Sequence, residues 1–371
     1  MTAITKNNIK KIAQTARNNS LLRITRYTAM RLVTLFLTVM VGIFLTIMIA
    51  NMGGYVDDIM RAQVREKIIS SYQNNKSFQL MGTEDRKALI DAQCAQEENR
   101  LGLNTPFVIR SFHYLKNALT LDLGSALFMT SDSGSRQVKL ILLERLPATL
   151  LLMGVSQLAL FILSVLLALS LSRQYGGFWD KLTIALSPTS TAPPWFYGIF
   201  LILIFAAVLK ILPFSGLVDS PPPADKFAYF LSLMKHLLLP AVSLILSGFF
   251  LSIYTWRTFF LIYSSEDYVD MAKAKGVTAR DIERRYILRP TMPNIVTSFA
   301  LTLISVWTGA TITETVFIWP GLGRTLYAAI GLYDTPVIVG DTIIFAYLLA
   351  MTVFLLDIVY VLIDPRVKVG E

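Results

Sequence analysis

The sequence predicts an all-α polytopic membrane protein with six transmembrane helices and a helical segment held between the fourth and the fifth. Three observations predict it. The 371 residues are 54% hydrophobic and only 16% charged, with a mean hydropathy of +0.55, too apolar for an ordinary soluble chain of this size. Six apolar runs, Leu32–Ala50, Leu146–Leu171, Leu182–Leu209, Leu237–Ile262, Ile295–Ile318 and Val337–Ile363, each approach or exceed the roughly 20 residues that a helix needs to cross the hydrocarbon core. Lys and Arg concentrate in alternate connections, as cytoplasmic loops require.

Residues 1–31 form a basic arm holding Lys6, Lys10, Lys11, Arg17, Arg23, Arg26 and Arg31 and no acidic residue, so its side of the membrane is expected to be the cytoplasm. The run over residues 32–50 is long enough to span and lacks a small-x-small site after it, which argues for an uncleaved first span. Residues 51–145 contain no run long enough to cross and are expected on the extracytoplasmic side. Within them Tyr55–Arg100 is charged and reads as helical. Phe107–Leu119 has apolar residues at Phe107, Val108, Phe112, Leu115 and Leu119, the spacing of a helix that lies on the bilayer surface or on the bundle.

Five spans fill the core region, residues 146–363. The run at 182–209 carries Ser187, Pro188, Pro193 and Pro194, so its first half is expected to be kinked or unwound. The connection Ser172–Lys181, the segment Ser264–Asn294 and the tail at residues 364–371 fall on the cytoplasmic side with both termini. Arg257 is expected to snorkel to that interface, and Trp319, Tyr327 and Tyr333 to act as interfacial anchors. Glu314, Asp341 and Asp357 are costly in lipid and should face the bundle or water, as a pathway or gate or as packing charges satisfied by backbone or Arg324.

Several chemistries find no residues. The 34 Lys and Arg against 25 Asp and Glu give a net charge of +9, but this belongs to membrane loops, and no nucleic-acid partner is expected. The lone Cys94 with His113 and His236 offers neither a disulfide nor a metal centre. A phosphate loop is missing, as are G-x-S-x-G and H-E-x-x-H, so no catalytic residue and no bound cofactor are expected in this chain.

The polar segment 264–294 is the exception to this silence. Ser264 followed by Asp267 reads as the cap of a helix running to about Lys275, with Gly276 as its stop; Thr278 followed by Asp281 reads as the cap of a second helix ending before Pro290. Tyr268, Met271, Ala272 and Lys275 fall on one face, and the small Ala272, Ala274 and Gly276 permit close approach of another surface. On pattern alone the segment is equally a solvated connector held by pairs such as Asp281 with Arg285.

A set of ordered motifs bears on that choice. Glu266-Asp267-Tyr268-Val269, Ala272-Lys273-Ala274-Lys275-Gly276, Arg289 and Pro293 resemble the signature loop of ABC importer transmembrane permease subunits, in the dipeptide/oligopeptide/nickel (binding-protein-dependent) permease family. The same order is kept by Leu101-Gly102-Leu103, Asp122-Leu123-Gly124, Glu144-Arg145-Leu146-Pro147-Ala148-Thr149, Leu239-Pro240-Ala241, Glu314-Thr315-Val316-Phe317, Trp319-Pro320-Gly321-Leu322-Gly323 and Asp364-Pro365-Arg366. The resemblance implies an ABC type I importer-like fold in which the helix near 264–276 is a cytoplasmic coupling helix. Glu266 and Asp267 would set its start, Ala272 and Ala274 seat it, and Gly276 turn the chain, with Tyr268, Met271 and Lys275 in the same contact. It also implies a second homologous permease subunit, two ABC ATPase subunits that bind the ATP and Mg, and an extracytoplasmic solute-binding protein, all acting on di- or oligopeptides. Oligosaccharide or nickel is the alternative cargo, and a self-sufficient secondary transporter or membrane enzyme is the alternative of a different class. The family pattern is broken at Asn51-Met52-Gly53-Gly54-Tyr55, by the insertion 56–100, and around Ser187.

Overall fold

The computed structural model describes residues 26, 28–49, 55–72, 76–306 and 310–363; most of the basic arm, Asn51–Gly54 and the tail from 364 onward lie outside these. Its secondary structure is helical, apart from an isolated bridge between Ser125 and Gln137. The α-helices with more than four residues are α1 (Thr28–Ile49), α2 (Tyr55–Tyr72), α3 (Thr83–Arg100), α4 (Phe107–Leu119), α5 (Val138–Arg173), α6 (Phe178–Leu186), α7 (Pro194–Leu201) and α8 (Lys226–Ser264). They continue with α9 (Asp267–Ala274), α10 (Arg289–Ser305), α11 (Thr311–Val316), α12 (Leu322–Gly331) and α13 (Thr335–Ile363).

Among the described residues four helices, α1, α5, α8 and α13, are long and apolar enough to cross a membrane. A fifth candidate is the bent pair Phe178–Thr191 and Pro194–Val208, which turns through 100°. That bend is the break expected from the prolines: Pro188 opens a 3₁₀ turn, and Pro194 starts α7, where its missing N–H costs nothing. The expected span at 295–318 is not one helix. α10 ends at Ser305 and, after residues 307–309, is followed by the separate, six-residue α11, whose N-cap residue Ala310 lies outside helical backbone at φ −135°.

The chain divides into two compact units. One contains residues up to Glu144 with Ala329–Ala350. Its core joins Val39, Ile43 and Ile47 of α1 to Leu115 and Ala118 of α4 and Ile343 of α13. In the same unit the insertion folds as a pair of antiparallel helices, α2 and α3, closed over Val64, Ile68 and Cys94 and laced by Arg61–Glu98 (3.5 Å) and Arg65–Asp91 (2.9 Å).

The other unit contains Arg145–Ala328 with the residues from Met351. One of its cores gathers Leu152, Leu237, Leu244, Phe317 and Trp319, and a second gathers Ala168, Ile253, Phe260, Val269, Ala272, Ile282 and Ile287. The second core holds the segment singled out from the sequence.

Candidate functional site

The α9 helix is eight residues long, and its ends are made differently. Ser264 does not cap it: α8 continues through Ser264, whose hydroxyl bonds back to the Leu261 carbonyl (2.9 Å). Glu266 takes the N-cap position in extended backbone, with no side-chain capping bond. Asp267 and Asp270 fill the first turn, where the helix dipole favours carboxylates. At the other end the Gly276 N–H donates to the Lys273 carbonyl (2.9 Å) and the Val277 N–H to that of Ala272 (3.1 Å), a Schellman closure. It requires a left-handed residue at Gly276, whose φ is +73°.

The closure turns Val277 back against the same core. Thr278 then caps the next turn by accepting from the Asp281 N–H (3.3 Å). The second helix does not end before Pro290. A π-helical turn, Ile282–Leu288, carries it into α10, where Pro290 occupies the first turn and its missing donor is not needed. Asp281 and Arg285 approach to 3.5 Å on the exposed side.

The residues expected to share one face are divided between two. Val269 and Ala272 are 1% and 2% exposed and pack among Ala168, Phe260, Ile282 and Ile287 of the same chain. Tyr268 is half-buried beside them; its hydroxyl has no hydrogen-bond partner among the described residues, and burial pushes its pKa up. Met271 is 59% exposed, and Glu266, Asp267, Ala274, Lys275 and Gly276 are exposed with it. Ala272 is thus taken by the chain's own core, and Met271, Ala274 and Lys275 are what α9 offers outward. Burying a valine side chain contributes about 2 kcal/mol, enough to hold so short a helix on the unit.

A second constellation lies in the same unit. Glu314 on α11 is 0% exposed, and its carboxylate accepts from the Thr149 hydroxyl (2.8 Å), the Arg324 N–H (2.9 Å) and the Gly323 N–H. The Thr149 hydroxyl in turn accepts from the Leu322 N–H (2.7 Å). Gly321 must be glycine, because a Cβ there would fall on the Glu314 carboxylate, and one at Gly323 would meet the Thr311 backbone. Trp319 is not an interfacial anchor: it is fully buried and donates its indole N–H to the Ala148 carbonyl (2.8 Å). Tyr327 and Tyr333 are exposed. The charge that α11 carries is therefore satisfied by backbone amides and a hydroxyl, including the amide rather than the guanidinium of Arg324.

Asp341, in the first unit, is 1% exposed, and Asp357, in the second, is half-buried. Among the described residues no three His, Cys, Asp or Glu side chains are grouped to hold a metal ion.

Two charged groups were misread or missed in the sequence. Arg257 does not snorkel; it is 7% exposed and makes a bidentate pair with the buried Asp180, Nε and Nη2 each 2.6 Å from a carboxylate oxygen. A buried guanidinium is held where a carboxylate meets its fork, and Asp180 lies 77 residues away, beyond any local pattern. In the first unit Asp334, fully buried, accepts from the N–H groups of Leu127, Phe128 and Met129 at 2.9–3.1 Å. Its position just before an apolar run was the available signal.

Comparison with known proteins adds the context of this geometry. Residues 146–369 match the model of a family described as binding-protein-dependent transport system inner membrane component. The chain is similar to the di/tripeptide transport system permease protein DppB of Pseudomonas aeruginosa (strain UCBPP-PA14), 30% identical over 296 residues that cover 75% of this chain and 86% of that protein. It is 29% identical to the oligopeptide transport system permease protein AppB of Bacillus subtilis (strain 168) over 271 residues, 72% of this chain and 83% of the relative. It is also 29% identical to the probable D,D-dipeptide transport system permease protein DdpB of Escherichia coli (strain K12) over 297 residues, 76% and 86%.

Proposed function

Because the chain belongs to the family of binding-protein-dependent transport system inner membrane components, we propose that it is the channel-forming permease subunit of an ATP-driven importer of di- or oligopeptides. It is an integral inner-membrane protein and not itself an enzyme. In this reading it pairs with a second homologous permease subunit, receives solute from an extracytoplasmic binding protein, and is driven by two ATPase subunits that hold the ATP and Mg²⁺. The peptide assignment rests on the relatives' names; oligosaccharide and nickel are the alternatives, and the ligand retained by the cognate binding protein decides among them.

Six spans follow if the bent pair at 178–208 crosses once and α10 with α11 crosses once. Both termini then lie in the cytoplasm, and so does α9.

The observation that carries the coupling role is the division of α9 into a buried and an exposed face. Val269 and Ala272 are locked against Phe260 of α8 and against Ile282 and Ile287 leading into α10. A partner that grips Met271, Ala274 and Lys275 therefore moves α8 and α10 with α9, because a close-packed core transmits displacement rather than absorbing it. Closure of the ATPases on ATP would pull the helix, and the spans attached to it would open the path inward. Asp341 and Asp357 are the candidate pathway carboxylates; the nest around Glu314 supports a fastening role for that residue.

Met271→Glu tests this reading. The side chain is exposed, so stability should change by no more than about 0.5 kcal/mol. ATPase subunits should nonetheless fail to co-purify, and solute-stimulated ATP hydrolysis should be lost. Retention of both would exclude α9 as the coupling helix, and solute accumulation by the purified chain alone would exclude the importer reading in favour of a self-sufficient transporter.

A further inference from the structure

We infer that the Asp180–Arg257 ion pair is a strut that carries movement of α9 to the bent helix pair α6–α7, making Asp180 and Arg257 positioning residues for transport. The inference rests on the reading of α9 as the helix gripped by the ATPases. Arg257 lies on α8 ten residues before Asp267, the first residue of α9, and Phe260, one turn further along, is fully buried in the core that seats α9. Asp180 lies in the first turn of α6, the helix that opens the bent pair. The pair thus bridges the element that would be moved and the element whose broken backbone would have to respond.

Its construction suits a strut. Both side chains are buried, the guanidinium engages both carboxylate oxygens, and the carboxylate also accepts from the Gly176 N–H (2.9 Å). That amide is aimed by a left-handed turn at Gly176, φ +74°. The Tyr175 ring lies over the guanidinium with its centroid 5.1 Å from Cζ. A second pair, Arg173–Glu283 (2.9 Å), ties the end of α5 to the π-helical turn that leads out of the α9 seat. Apolar packing already holds the elements of this unit together, and the bidentate pair adds to it a fixed distance and orientation between α6 and α8. Fixing an angle is what a transmission element needs.

The test uses the complete transporter, with its ATPases, partner permease and binding protein, in proteoliposomes, and reads solute imported per ATP hydrolysed. Asp180→Asn should lower that ratio about tenfold. The double variant Asp180→Leu with Arg257→Met replaces the pair by apolar side chains and should restore assembly and thermal stability, as such exchanges often do. Its import ratio should stay low, which a merely structural pair would not give. A wild-type ratio in the double variant overturns the proposal. Arg257→Lys keeps the charge but not the fork and should lower the ratio about threefold; a wild-type ratio there overturns the proposal even if the double variant fails to assemble. If Met271→Glu leaves stimulated hydrolysis intact, the α9 reading fails by itself, whatever the ion-pair variants do.

Discussion

The seat of α9 and the nest around Glu314 occupy the same compact unit, and they close on opposite kinds of chemistry. At α9 the buried groups are Val269 and Ala272, apolar and without direction, while the carboxylates and lysines stay outside. Around Glu314 the charge itself is inside, and hydroxyl and amide donors converge on it from Thr149, Gly323 and Arg324. An apolar seat holds a helix while leaving its outer face free for another protein. A carboxylate nest instead fixes the relative position of three chain segments through directed bonds. Glu314, which the sequence offers as a gate or as a packing charge, has its carboxylate held by these three donors.

The largest effect should come from breaking the nest. Glu314→Leu leaves the Thr149 hydroxyl and the Arg324 N–H buried without their acceptor, at about 1–3 kcal/mol each. Together with the Gly323 amide this predicts a loss of roughly 3–5 kcal/mol, seen as a fall in the thermal unfolding midpoint of the detergent-purified chain. Glu314→Gln keeps an acceptor oxygen and should lose about half as much. If Leu and Gln were equally mild, the nest would not be what holds α11 to the α12 start.

Ala272→Glu comes next, and it sharpens the contrast within α9 itself. The new carboxylate would enter the core beside Phe260 and Ile282, but α9 is short and close to solvent, so the side chain can displace it outward. The expected destabilisation is about 2–3 kcal/mol, whereas Met271→Glu one residue away should be neutral for stability and severe for ATPase association. A neutral Ala272→Glu would show that the seat is not a packed core.

How far this was legible in the sequence follows from the range of each interaction. The C-terminal stop of α9 rests on Gly276 and the start of the next turn on Thr278, whose signals are local, and the bend at 187–194 rests on prolines, so both could be read directly. Ser264 reads as a cap although α8 continues through it, because nothing local distinguishes the end of an apolar helix from the start of a polar one. Pro290 looked like a stop because a π-helical turn, which re-aims the backbone ahead of it, has no compositional mark. The Glu314 nest joins residues 165 positions apart, and the Asp180–Arg257 pair joins residues 77 apart. Such partners are set by tertiary packing, to which helical periodicity is blind.

The smallest effect should be at Gly276, and it isolates the geometry of the turn from everything around it. A Cβ at this position would meet nothing within 4 Å, so packing exacts no penalty. What remains is the left-handed backbone at φ +73°, which costs an ordinary L-residue about 1–2 kcal/mol. Gly276→Ala should therefore lower stability by about 1 kcal/mol, and Gly276→Asn by less, since Asn enters the left-handed region more readily. Because the Schellman bonds from Gly276 and Val277 set where the chain leaves α9, import should follow the same order: glycine, then asparagine, then alanine. If Asn and Ala lost equally in thermal midpoint, the left-handed φ would not be what sets the cost of substitution at this turn.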